Sequence, residues 1–288
     1  MSKFKRADLS KVKTISIKKR KSKVTPDDFA KVFDGKKGSF ADFADSLPRI
    51  LVADDLRSLA DDIIAARKKN KPVILMMGAH VIKVGLSPIL IDLIKRNMIT
   101  AVAMNSAAAI HDVETAMWGQ TSEDVAVNIL DGRFGMARET GELINRTLAD
   151  AFRESDMGYG EALGRKLLAL DAPNANVSIL ATCYSLNVPI TIHAAIGTDI
   201  IHQQPTMDGA ATGELSFRDF KLLAETCKGL VGGGVVLNVG SAVIMPEVFL
   251  KALTVARNLG HKAKGFTTAV FDMNVHYRPT MNVKLRPT

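Results

Sequence analysis

An α/β fold is what these 288 residues predict: a doubly wound, mostly parallel sheet with helices on both faces. Three observations carry the prediction. Continuous apolar runs such as Pro72-Val-Ile-Leu-Met-Met-Gly78 end in glycine or a polar residue, as strands buried on both faces do. These runs alternate with stretches of helical apolar spacing, the order that builds a parallel sheet. Finally, the stretch Gly229–Val243 breaks an apolar run with Gly232-Gly233-Gly234, resumes at Val235-Val236, and leads into a long helical pattern.

Each element has its own warrant. Thr25-Pro26-Asp27-Asp28 reads as a helix start, with a threonine cap, proline in the first turn and acids behind it, closed near Gly35 and Gly38. Leu51, Leu56, Leu59, Ile63 and Ile64 write a second helix that ends in a basic cluster at 67–71. The strand at 72–78 follows. Leu86–Met98 is helical, Ile99–Met104 a strand, and Asn105-Ser106 caps an alanine-rich helix. Two amphipathic helices, 135–153 and 159–170, come after a less regular stretch around 118–130. Then follow a helix at 173–186, a strand at Val188–His193, a helix at 214–227, a strand at Leu230–Val236, a helix at 245–259 and a strand at Phe266–Phe271.

The composition is that of an ordinary globular chain, 47% hydrophobic and 24% charged. No apolar run approaches the roughly 18 residues of a membrane span, and no apolar block follows the basic amino terminus, so neither a membrane protein nor a secreted one is expected. Cys183 and Cys227 lack metal-like spacing and read as buried thiols in a reducing cytoplasm. The net charge of +8 is concentrated in residues 1–23, where ten basic residues face the single acid Asp8. The remainder is close to neutral. That division predicts a basic arm, 1–23, and one domain, 24–288. The arm is either a solvated or subunit-bridging tail, or a weak, salt-sensitive contact for RNA or another acidic partner.

In a parallel sheet ligands lie beyond the carboxyl ends of the strands. The candidates there are Gly78-Ala79-His80, Asn105-Ser106, the segment 194–202, Gly232–Gly234 with Asn238, and Asp272–Asn274. Glycine weakens a strand unless something approaches its backbone closely. The triple glycine is therefore either a ligand contact or a tight crossing. Asp199 can bind a ribose hydroxyl or an ammonium group, or cap the helix that begins at Ile200. His202 is a proton shuttle or a structural histidine. The other histidines show no pairwise ligand spacing, and no metal site is expected.

The order of elements and the wording of several motifs resemble the deoxyhypusine synthase family. The segment Val73–Asp112 with its Asn97-Met98 turn, Arg133-Phe134-Gly135, Ala162-Leu163-Gly164-Arg165, Asn174–Pro189, the run Gly232-Gly233-Gly234-Val235-Val236 and Arg278-Pro279 carry the likeness, from about Ile50 to the end. The resemblance implies a homotetramer of Rossmann-like subunits that bind NAD, oxidise spermidine, and transfer its aminobutyl group through an imine on a lysine. With NAD as the expected cofactor, the strand-end candidates Gly78, His80, Asn105, Ser106, Asp199, Gly232, Gly233, Gly234, Asn238 and Asp272 are read as its contacts, and Asp112 and Asp199 as the carboxylates toward a small amine substrate. Lys83, near the first turn, would suit an additional phosphate.

The catalytic segment departs from the family. Ile110-His111-Asp112-Val113 stands where the family has two glutamates and an aspartate, Asn238 replaces a histidine, and the lysine segment is cut to Asn274–Lys284. An imine-forming lysine must be neutral, which needs a dry or cationic setting. Lys284 is the lysine available for that role, and His111 and His202 are the candidate acid-base groups. The expectation is an NAD-dependent enzyme acting on a polyamine or related amine, with aminobutyl transfer in question. The alternative is a catalytically degenerate nucleotide-binding oligomer whose basic arm engages an acidic partner.

Overall fold

The computed structural model describes residues 3–288. They fall into two units, one ending at Ser58 and one spanning Leu59–Thr288. The elements in chain order are α1 (Phe40–Ser46), α2 (Leu51–Lys68), β1 (Val73–Met77), α3 (His80–Lys83), α4 (Ser87–Lys95), β2 (Ala101–Asn105), α5 (Ser106–Trp118), α6 (Val125–Asn128), α7 (Arg138–Glu154), α8 (Tyr159–Ala169), α9 (Ile179–Ser185), β3 (Ile190–His193), α10 (Gly209–Lys228), β4 (Val235–Val239), α11 (Ile244–Asn258), β5 (Thr267–Phe271) and α12 (Tyr277–Pro279). A π-helical turn, Thr280–Leu285, closes the chain.

In the first unit every described residue up to Asp27 is exposed. The expected helix at Thr25 is only a 3-10 turn, Pro26–Asp28. Its cap is present, with the Thr25 backbone N–H and hydroxyl donating to Asp28 Oδ2 at 2.7 and 3.0 Å. A capped first turn does not propagate without an apolar face to bury, and Phe29 and Val32 stay exposed. The helix forms instead at α1, where Ser39 and Asp42 make a capping box and Phe33, Phe40 and Phe43 cluster.

The second unit is built on a five-stranded sheet, all parallel, in the order β3-β2-β1-β4-β5. Successive strand residues feed opposite cores. Leu75, Met77, Val102 and Met104 pack with α4, α5, α7, α8 and α9, whereas Ile74, Met76, Ala101 and Ala103 pack with α11 and the end of α10. Two-sided burial explains why these strands read as unbroken apolar runs. The chain runs outward from β1 in both directions, so the strand order reverses between β1 and β4.

One strand differs from expectation. β4 begins at Val235, after the triple glycine rather than across it. Gly232 and Gly233 have φ of +70° and +121°, which no strand can hold. They form a turn instead, with Gly232 N–H donating to Lys264 O and Gly234 N–H to Leu230 O. Val235 N–H then donates to Pro72 O, just before β1. The glycine run is thus at the amino-terminal edge of the sheet, and β4 itself separates it from the carboxyl edge by about 16 Å at the usual strand rise.

Candidate functional site

A cavity of about 720 Å³ opens beyond the carboxyl ends of β2 and β3. Its floor is one face of α5: Ala107, Ile110, His111, Glu114 and Trp118 are spaced at helical intervals and all line it. The segment between α5 and α7 supplies Thr121, Glu123, Val125, Phe134 and Ala137, and the first turn of α7 supplies Glu139 and Thr140. Thr198, Asp199 and Ile200 enter from the loop after β3, and Lys83 from the end of α3.

The polar density foreseen between 196 and 205 has a structural use. Gln203 Nε2 donates to Phe134 O at 2.7 Å, and Gln204 Nε2 to Gly135 O and Ala137 O at 2.9 and 3.0 Å. Glu123 Oε1 accepts from Gly135 N–H at 2.8 Å. These bonds pin the roof of the cavity, a stretch with little regular structure, over α5.

Two polar clusters face the space. In the first, Thr121 Oγ1 donates to Glu114 Oε2 at 2.5 Å and meets His111 Nδ1 at 2.6 Å, while Thr140 Oγ1 donates to the other Glu114 oxygen at 2.9 Å. Burial holds the His111 imidazole below its usual pKa; Glu114 opposes that effect, and Lys83 and His80 reinforce it. In the second, the Ser106 hydroxyl donates to Asp199 Oδ2. Asp199 lies 3.9 Å from His202 Nε2, and both side chains are about 95% buried. His202 Nδ1 accepts from the backbone N–H of Gly197 and Asp199 at 3.1 and 3.2 Å. Its Nε2 therefore carries the proton, and that atom is buried with no hydrogen-bond partner among the described residues. Burial pushes the Asp199 carboxyl up, against the opposing donation from Ser106.

Of the residues chosen from sequence, the fold brings Asp199, His111, Ser106 and His202 to or beside the cavity. It uses the others elsewhere. Asp112, expected to meet substrate, is buried on the opposite side of α5 and accepts from Ser178 Oγ, Ile179 N–H and Leu180 N–H at 2.5, 2.8 and 3.3 Å. It caps α9. Asn105 caps α5, accepting from Ala108 N–H. Asn238 is inside β4, where its Nδ2 holds the following turn by donating to Ser241 O. Asp272 follows β5 and accepts from Asn274 N–H. Lys284 is exposed in the closing turn of the chain and does not line the cavity. His80 is exposed on α3 near His111.

The residues chosen for a dinucleotide do not make one cradle. The triple glycine is at the wrong edge of the sheet. At Gly78 the space a Cβ would fill is taken by Gly240 O, 2.0 Å from the Cβ position, so the close approach there is of the protein's own backbone. α3, a single turn, offers no long helix N-terminus to a phosphate. Thr121, Thr140, Glu123 and Trp118 went unforeseen. The α5 spacing that joins His111 to Glu114 and Trp118 was visible, but the fold-back that carries Thr121 and Thr140 to them had no sequence signal. Among the described residues no group of three His, Cys, Asp or Glu is placed to hold a metal ion, and no helix is long and apolar enough to cross a membrane.

Comparison with known proteins gives a fold and little more. The family model for the C-terminal Rossmann fold of arginine dihydrolase ArgZ-like proteins matches residues 57–144, less than half of the chain. No curated protein matches. Solved structures that resemble it include ArgZ, an arginine dihydrolase from the ornithine-ammonia cycle in Cyanobacteria, at 17% identity and TM-score 0.46, covering 78% of this chain and 28% of that one. AgrE in its ternary complex with ornithine and NAD+ resembles it at 16% identity and TM-score 0.44, covering 68% and 25%. A putative deoxyhypusine synthase from Entamoeba histolytica resembles it at 14% and 0.46, covering 73% and 79%. The chain thus spans only about a quarter of the length of the first two proteins. At these values the likeness does not extend to site or activity, and it is coarser than the deoxyhypusine synthase resemblance read from the motifs. What the matched segment and the five parallel strands establish together is an α/β fold of the Rossmann type.

Proposed function

We propose that the chain binds a small cationic amine in the cavity above α5 and acts on it as a nucleotide-dependent enzyme. The observation that carries the amine is the charge of the lining: Glu114, Glu123, Glu139 and Asp199 face Lys83 as the one lysine or arginine there, and among the described residues only Glu139 of the four acids has an arginine partner, Arg138 at 2.9 Å. Carboxylates that converge in a partly dry cavity favour ammonium or guanidinium groups, and Trp118 and Phe134 add aromatic surface suited to a cation. The Rossmann-type sheet and the arginine dihydrolase-like match at residues 57–144 support an enzyme of amine metabolism using NAD.

Calorimetry tests the reading directly. Spermidine, ornithine and arginine are titrated with and without NAD, and reduced nicotinamide is followed by absorbance. At least one amine is expected to bind, and Glu123→Gln with Glu139→Gln is expected to weaken it about tenfold. If no amine binds, the proposal fails. Amine and nucleotide binding without turnover would select the degenerate binding protein instead. A homotetramer, and contact of the basic arm with RNA or another acidic partner, stand as further proposals. Light scattering tests the first, and salt-dependent RNA binding of the full chain against a deletion of residues 1–23 tests the second.

A further inference from the structure

The hydrogen-bond chain on His111 has a direction. Thr121 has one hydroxyl proton, and the Glu114 carboxylate, which can only accept, takes it at 2.5 Å. Toward His111 Nδ1, 2.6 Å away, the same oxygen can then only accept, so Nδ1 must carry the ring proton. Thr140 locks the far oxygen of Glu114 and so prevents the carboxylate from turning away. Nε2 is left as a lone pair on a cavity-lining ring, with no protein partner among the described residues.

We propose that His111 is a specificity-determining residue of the cavity, with Thr121 as its positioning residue: Nε2 accepts a hydrogen bond from the N–H of a bound ammonium, and protonation of the ring expels that ligand. This rests on the amine reading given above. An imidazole presented acceptor-first complements an N–H donor, and once protonated it becomes a cation that repels one. The charged groups around the ring come from several elements. Glu114 lies on α5 itself, Lys83 and His80 on α3, Glu123 on the roof, Glu139 on α7, and Asp199 on the loop after β3. Burial, Lys83 and His80 keep the ring neutral and acceptor-competent near neutral pH.

Nitrogen NMR of the histidine-labelled full chain, with no amine added, reads the tautomer. The Nδ1–H form of His111 is expected in the native protein and in Thr121→Ser. Thr121→Val should shift it toward the Nε2–H form. An Nε2–H ring in the native protein, or a tautomer indifferent to Thr121→Val, overturns this inference and leaves the amine reading untouched. Spermidine affinity is then measured from pH 7 to 5.5, where the ligand keeps its charge. It should fall about tenfold per unit once the ring protonates, persist as a pH dependence in Asp199→Asn, and vanish as one in His111→Gln. A pH dependence unchanged by His111→Gln overturns the expulsion. An Nδ1–H ring with no amine bound at any pH overturns the amine reading, and the ligand half of this inference with it.

Discussion

Asp112, midway along α5, and Asp199, which meets Ser106 at the start of that helix, are given different work by the fold. The Asp112 carboxylate has all its neighbours supplied by α9, so it is committed to holding that helix. Asp199 keeps one side toward the cavity, with Ser106 donating to it. Truncating Asp112 leaves two buried backbone N–H groups and a buried hydroxyl without acceptors. Asp112→Ala should therefore cost about 2 to 4 kcal/mol by urea unfolding. Asp112→Asn keeps one acceptor oxygen and should cost less. Neither should alter amine affinity in protein that remains folded, whereas a direct substrate contact at Asp112 would lower it.

At the scale of elements, the two glycine turns of the sheet can be separated by experiment. Gly233 sits at φ +121° with open space around it, so an alanine meets no atom but must adopt a backbone that side chains rarely tolerate. Gly233→Ala should cost about 1 to 3 kcal/mol in stability and leave cavity binding unchanged. Loss of binding with stability intact would restore the glycine run as a ligand contact. Gly78 is the opposite case: a Cβ there meets the Gly240 carbonyl, part of the backbone joining β4 to α11, which cannot swing aside. Gly78→Ala should destabilise by more than about 3 kcal/mol, visible as a large drop in Tm. α5 shows the same division. Its apolar and polar faces are written at helical spacing, but the roof that completes the cavity is irregular chain held by Gln203, Gln204 and Glu123.

Across the whole molecule, buried titratable groups set how stability varies with pH. Burial raises Asp219, which accepts from Ile192 and Gly160 N–H, to about 8, and raises Asp112 to about 6, both from 3.8. Each binds its proton more tightly folded than unfolded. The stability each contributes is complete below pH 3.8 and is lost as pH rises through its folded value. Burial lowers His193 to about 3 from 6.5, so its contribution is complete above pH 6.5 and is lost as pH falls. Between about pH 6.5 and 8 Asp219 is the one of the three that titrates. Tm should fall as pH rises across that window, by up to about 1.4 kcal/mol of stability per unit. Asp219→Ala, less stable throughout, should flatten the slope. A Tm that rises across the window in the native protein would refute the assignment.

The amino-acid order by itself determined the alternation of buried strands and helices, and hence a doubly wound, mostly parallel sheet. Two-sided burial forces unbroken apolar runs, and helical spacing marks what covers them. It also marked Asp199 and Ser106, because they follow strands at the edge of the sheet where ligands lie, and His111 through the motif it occupies in the family resemblance. Only the tertiary structure decided at which edge the triple glycine lies, since a glycine run lacks the side-chain periodicity that sets register and its positive φ values come from the turn around it. Only the fold, too, carried Thr121 and Thr140 onto Glu114 and turned Asp112 away. Those contacts join residues distant in the chain through an irregular segment, whose path is set by side-chain hydrogen bonds rather than by any local pattern.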